Sequence, residues 1–129
     1  MEEKTVVRTE NAPAPFQGAP YSQAIKANGF VFVAGQLGFE PGSTEVVGPG
    51  IKAQTEQTIN NLEAILTEAG SGLDRIVKTT VFLASLSDFQ DMNEVYAGRI
   101  GDTPPARSTI EVAALPSGAL VEIEAIALA

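Results

Sequence analysis

Few side chains in this sequence are suited to handling a proton or an anion. The chain has no His and no Cys, so the commonest general base, the commonest transition-metal ligand, the thiolate nucleophile and the disulfide are all absent. Any catalysis is left to carboxylates, Tyr, Lys, hydroxyls, backbone groups or water. Within that short list Arg107 stands out. It follows Pro104 and Pro105, which hold the chain extended, and it opens an apolar run, Ser108 to Ala113, that reads as a buried strand. A guanidinium keeps its charge at any ordinary pH, so beside apolar surface it needs an anion. That anion is either a protein carboxylate, such as Glu111 on the same strand or one on a neighbouring strand, or a ligand carboxylate gripped by both arms of the fork.

Glu122 and Glu124 share one face of the last apolar segment, VEIEAIAL. Solvated strand carboxylates are the plain reading. Ile126 and Leu128 lie on that same face, however, and a carboxylate at the edge of an apolar cleft has a raised pKa suited to proton transfer. Tyr21 and Tyr96 read as partly buried aromatics whose hydroxyls find partners. Asn93 breaks no pattern. The segment AGQLG (Ala34 to Gly38) lacks phosphate-loop spacing, and no dinucleotide or Walker fingerprint occurs. The residues therefore point to a small-anion site without naming a reaction.

The elements that carry these residues follow from hydrophobic period. Thr5 to Thr9 reads as a short strand, and the Pro- and Gly-rich stretch Asn11 to Gln23 as an ordered loop. Ala24 to Ala27 and Phe30 to Ala34 form a hairpin about Asn28-Gly29, followed by a long loop or irregular hairpin from Gly35 to Gly50. Ile51 to Ala69 repeats apolar residues at three- and four-residue steps, so a helix is expected, ended by Gly70. Arg75 to Ala84 reads as a central strand. Ser87 and Gln90 have capping-box spacing before a second helix, whose buried stripe is Phe89, Met92, Val95, Tyr96 and Ile100. The Arg107 strand, a turn at Ser117-Gly118 and the strand Val121 to Leu128 complete the chain. The expected architecture is α+β, a mixed and mostly antiparallel sheet with two helices on one face. Several strands are apolar on both sides, and two helices cannot cover both faces. The second face calls for another copy of the chain, with ligand sites in clefts between copies.

At 129 residues, with 44% hydrophobic and 19% charged residues, the composition fits one globular domain. The net charge of −8 disfavours nucleic acid or an anionic membrane as partner. The start, MEEKTVVRTE, has no signal-peptide pattern and no segment has the length of a membrane span, so a cytoplasmic location is expected.

Three stretches, APYSQAIKANGFVFVAGQLG, IVKTTVFLASLSDFQDMNEVYA and PPARSTIEVAALP followed by VEIEAIA, together resemble the reactive intermediate deaminase family (RidA, the YjgF-type proteins). The likeness runs from about Thr9 to the C-terminus. It implies a chorismate-mutase-like domain assembled as a homotrimer with three clefts between subunits. It also implies hydrolysis of 2-imino acids, or their enamine tautomers, to 2-keto acids and ammonia, with no cofactor and no metal. Such intermediates are released by amino-acid dehydratases. By resemblance, Arg107 holds the substrate carboxylate, Glu122 orients or activates the attacking water, and Tyr21 lines the cleft. Asn93, Thr109 and the backbone at Gly35 contribute polar contacts. The sequence departs from the family pattern at Ala34, where a Ser is usual, at Thr109, often Cys, and at Ala19, usually Gly. A non-catalytic trimer that binds small carboxylates or acts as a chaperone-like partner is the alternative. Ribonuclease activity is a third reading, opposed by the net charge and the lack of His.

Overall fold

The computed structural model describes residues 3–129. Six strands and two helices occur, in the order β1 (Thr5–Val7), β2 (Ala24–Ala27), β3 (Phe30–Leu37), α1 (Ile51–Glu68), β4 (Ile76–Leu83), α2 (Phe89–Ile100), β5 (Ala106–Glu111) and β6 (Val121–Leu128). Their spatial order is β1-β2-β3-β6-β4-β5. The final strand is thus inserted at the centre. Every pairing is antiparallel except β4 with β5, which run parallel on either side of α2.

Local sequence explains the joints. Asn28 and Gly29 both take positive φ, 52° and 83°, as a two-residue hairpin turn of matching twist requires. Helix α1 stops where Gly70 turns left-handed at φ 82°, letting the Ser71 amide donate back to the Leu66 carbonyl at 2.8 Å. The start of α2 differs from the expected capping box. Ser85, not Ser87, receives an amide hydrogen bond, from Ser87 N–H at 3.2 Å, and a short 3-10 turn, Leu86–Asp88, leads into the helix. The two serine hydroxyls bond each other at 2.7 Å, which takes Ser87 away from the backbone.

Both helices lie on one face. Val31, Val33, Val81, Leu83, Val121, Ile123, Ala125 and Ala127 point into a core closed by Ile59, Leu62, Ile65, Leu66 and Met92. The alternate residues build the opposite face. Its rungs are Phe30 opposite Leu128, Phe32 opposite Ile126 and Phe82 opposite Ile110. Phe32 is 43% exposed and Ile110 46% exposed, so this apolar face lacks a cover among the described residues. No helix among the described residues is long and apolar enough to cross a membrane.

Three of the expected strands differ in the structure. The Arg107 strand is Ala106–Glu111, not Ser108 to Ala113, and it is an edge strand with no buried residue. Its apolar look misled because Ile110 belongs to the uncovered face. The first strand also ends at Val7 rather than Thr9. Beyond Ala34, β3 continues to Leu37, and the following loop is an irregular hairpin with a single bridge, Phe39 to Val46.

Candidate active site

Arg107 sits within β5, level with Thr79 of β4, so its side chain leaves the sheet on the helix side. Glu111 does not pair with it. One Glu111 oxygen accepts the Leu86 amide at 2.9 Å instead, and the ion pairs among the described residues involve only Lys52, Arg99 and their Glu partners. The Arg107 guanidinium lies over aromatic rings of α2, 4.8 Å from the centroid of Tyr96 and 5.6 Å from that of Phe89. Asn93 falls between them on the same helix face, and its Oδ1 is buried without a hydrogen-bond partner. Thr109, two residues on, shares the Arg107 side of β5 and is half-buried.

Glu122 is on the other side of the sheet, alternating with the buried Val121 and Ile123. It is half-buried, and its pKa is raised, first by burial and then by the neighbouring charge of Glu124. Room for its carboxylate comes from Gly35. A β-bulge sets Ala34 and Gly35 together against β6, because register shifts between Val33 opposite Ala125 and Gln36 opposite Ile123. A Cβ on Gly35 would lie 2.9 Å from Glu122 Cδ and 3.1 Å from its Cγ, closer than side chains pack. Gly35 is therefore there for space.

Tyr21 stands on the loop before β2, 44% exposed, and its hydroxyl accepts the Phe16 amide at 2.6 Å. With Gly35 it lines a cleft of about 220 Å³. Gln23 fixes the same loop: its Oε1 accepts from the Thr9 amide at 2.8 Å, and its Nε2 donates to the carbonyls of Thr9 and Pro13 at 3.0 and 2.8 Å.

The sequence-predicted residues therefore fall into two groups. Tyr21, Gly35 and Glu122 form one; Arg107, Asn93 and Thr109 form the other. Glu122 is level with Phe82 of β4 and Arg107 with Thr79, which puts them three rungs and two strands apart. With ordinary strand spacing their Cα atoms are roughly 14 Å apart, and their side chains leave opposite faces. Within one chain they do not meet. Sequence reasoning did not single out Phe89, Tyr96 or Gln23 as site residues; it placed both aromatics in a buried helix stripe, but only Tyr96 is buried and Phe89 is 39% exposed, and nothing in their spacing marked them as neighbours of Arg107.

Residues 9–129 match the family model described as endoribonuclease L-PSP. The chain belongs to this family, that of the RidA/YjgF-type proteins. Among its members, a RutC family protein of Pyrococcus horikoshii is 51% identical over 124 residues, covering 96% of this chain and 97% of the relative. A mouse member named 2-iminobutanoate/2-iminopropanoate deaminase is 42% identical over 125 residues, 97% of this chain and 91% of the relative. The crystal structure of E. coli TdcF with bound serine superposes with a TM-score of 0.88 at 34% identity, covering 97% of this chain and 98% of that one. RidA/YjgF-type members thus include proteins named as imine deaminases.

Proposed function

We propose that this protein hydrolyses reactive 2-imino acids and their enamine tautomers to 2-keto acids and ammonia, in clefts formed where two copies of the chain meet. The observation that carries this reading is the split site. One face of a chain offers a guanidinium with no ion-pair partner among the described residues; the other offers a carboxylate with a raised pKa. A cleft between copies would bring Arg107 of one to Glu122 of the next, and the uncovered apolar face supplies a reason for the copies to associate. The assembly proposed is a homotrimer of one chorismate-mutase-like domain, as the family resemblance implies, and a cytoplasmic location is proposed with it.

The chemistry asks little of the protein. Arg107 grips the substrate carboxylate by both arms, and Tyr21, Asn93, Thr109 and the backbone at Gly35 line the cleft around it. The C=N carbon of a protonated imine is already electrophilic, so positioning accounts for much of the rate. Glu122 accepts a proton from water as its oxygen bonds to that carbon. The same proton passes to nitrogen, the C–N bond breaks and ammonia leaves, and the hydroxyl gives its remaining proton back to Glu122 as the carbonyl forms. No cofactor and no metal enters this scheme.

A carboxylate-binding protein without catalysis is the second reading, favoured by the bound serine of the E. coli relative. The family description names an endoribonuclease, but a net charge of −8 repels a polyanion.

One experiment separates these readings. Keto acid release from dehydratase-generated imines is measured for wild type, Arg107→Ala, Glu122→Ala and a refolded equal mixture of the two variants. Each variant alone is expected to be inactive, while the mixture recovers about a quarter of wild-type activity, because random assembly reunites both intact residues in that share of between-copy sites. No acceleration by wild type sinks the deaminase reading. Active wild type with no recovery on mixing sinks the shared cleft.

A further inference from the structure

Resting on that deaminase reading, we infer that Phe89, Tyr96 and Thr79 form a positioning clamp that holds Arg107 ready for the substrate carboxylate. Phe89 and Tyr96 are seven residues apart on α2, so about 10.5 Å separates them along the helix axis. The Arg107 guanidinium carbon is 5.6 Å from the Phe89 ring centroid and 4.8 Å from that of Tyr96, so both rings reach it. Both rings attract the cation through their faces. Unlike a protein carboxylate, they do so without taking up the N–H donors, and those donors stay free for a ligand.

The two rings are held differently. Tyr96 is 6% exposed, and its hydroxyl shares a 2.6 Å hydrogen bond with the hydroxyl of Thr79, itself 1% exposed. Thr79 is also the β4 residue level with Arg107. One rung of the sheet therefore sets the height of both the arginine and the ring beneath it. Phe89 is 39% exposed and forms the outer jaw. A large apolar ring left in solvent at the helix start has little to gain from burial; over a guanidinium it restricts a flexible side chain on an edge strand. The clamp lowers the conformational freedom that Arg107 would otherwise lose on binding.

The test has two independent arms. The first follows the Arg107 Nε–Hε resonance by NMR in the ligand-free protein, where ring currents are expected to displace it upfield. The second measures KM and kcat for imine hydrolysis, and the Kd for 2-oxobutanoate. Phe89→Leu, of similar apolar character, is expected to move the resonance towards its free position and to raise KM and Kd about tenfold, equivalent to ~1.4 kcal/mol, with kcat within about twofold. Phe89→Trp restores both readouts, since it returns an aromatic face. Thr79→Val frees the Tyr96 hydroxyl and raises KM in the same direction. An unchanged KM in Phe89→Leu, or a Trp variant no better than the Leu one, overturns the clamp. Should wild type neither bind 2-oxobutanoate nor hydrolyse imines, the deaminase reading fails by itself. The resonance then decides the clamp alone: a shift in Phe89→Leu upholds it, and an unmoved signal overturns it.

Discussion

Gly35 and Glu122 share a volume that holds only one side chain. The bulge in β3 brings the Gly35 Cα so near β6 that any Cβ there would press on the Glu122 side chain, 2.9 Å from its Cδ. A glycine on one strand thus sets the position of a carboxylate on the next. Because Gly35 has no left-handed φ, the requirement is for space and not for backbone freedom.

Gly35→Ala is accordingly expected to disturb function more than folding. The displaced carboxylate should lower kcat/KM for imine hydrolysis by about a hundredfold, the scale of a misplaced catalytic group, with only a small change in Tm. The small Tm change should nearly vanish in a Glu122→Ala background, where the Cβ has nothing to displace. Additive losses in the double variant would show that Gly35 matters for another reason.

The raised pKa of Glu122 makes two linked pH predictions. In the proposed mechanism Glu122 acts as the carboxylate, so kcat/KM should fall as pH drops through its raised pKa. Glu124→Gln removes the smaller of the two causes, the neighbouring charge, and should move that acidic limb to lower pH. For stability the sign runs the other way. A folded-state pKa above the unfolded value means stability is greatest below the unfolded pKa and is lost as pH rises through the folded one. Glu122→Gln should thus raise Tm at pH 7, with the difference fading towards pH 4. A variant no more stable than wild type at pH 7 would show that burial does not strain this carboxylate.

The sequence exposed the sheet and helices well because their hydrophobic periods were unambiguous: α1, with Ile59, Leu62, Ile65 and Leu66 fully buried, and β6, with alternating Val121, Ile123, Ala125 and Ala127. It exposed β5 less well. A strand paired on one side only, with Ile110 on an uncovered face, has the same composition as a core strand. Arg107 and Glu122 were legible as residues needing an environment, but not as members of opposite faces, because that depends on register across three strands. The cage of Phe89 and Tyr96 was hidden for a similar reason. Their spacing describes α2, whereas their neighbour comes from β5.

Arg107→Lys keeps the charge and discards the fork. Lys has no planar pair of donors to match a carboxylate, so the affinity for 2-oxobutanoate is expected to weaken about tenfold to a hundredfold, the scale of one lost charged hydrogen bond. Stability should stay within about 0.5 kcal/mol of wild type, since Arg107 has no ion pair among the described residues. Calorimetric titration and urea unfolding give the two values. A Lys variant that binds as tightly as wild type would remove bidentate recognition from the mechanism.

Gln23 tests whether the Tyr21 loop is preformed. Its side chain is 4% exposed and is hydrogen-bonded to the backbone at Thr9, Ala12 and Pro13, so the loop cannot move without breaking several buried bonds together. Gln23→Ala leaves those backbone groups unpaired at a cost of about 2–4 kcal/mol, measurable by urea unfolding. Hydrogen exchange at the Thr9 amide should quicken in step. Tyr21 lies two residues away and shares the cleft with Gly35, so KM for imines should rise even under conditions where the variant is fully folded. Unchanged exchange and unchanged KM would mean that the loop is held by its prolines, and that Gln23 contributes only to global stability.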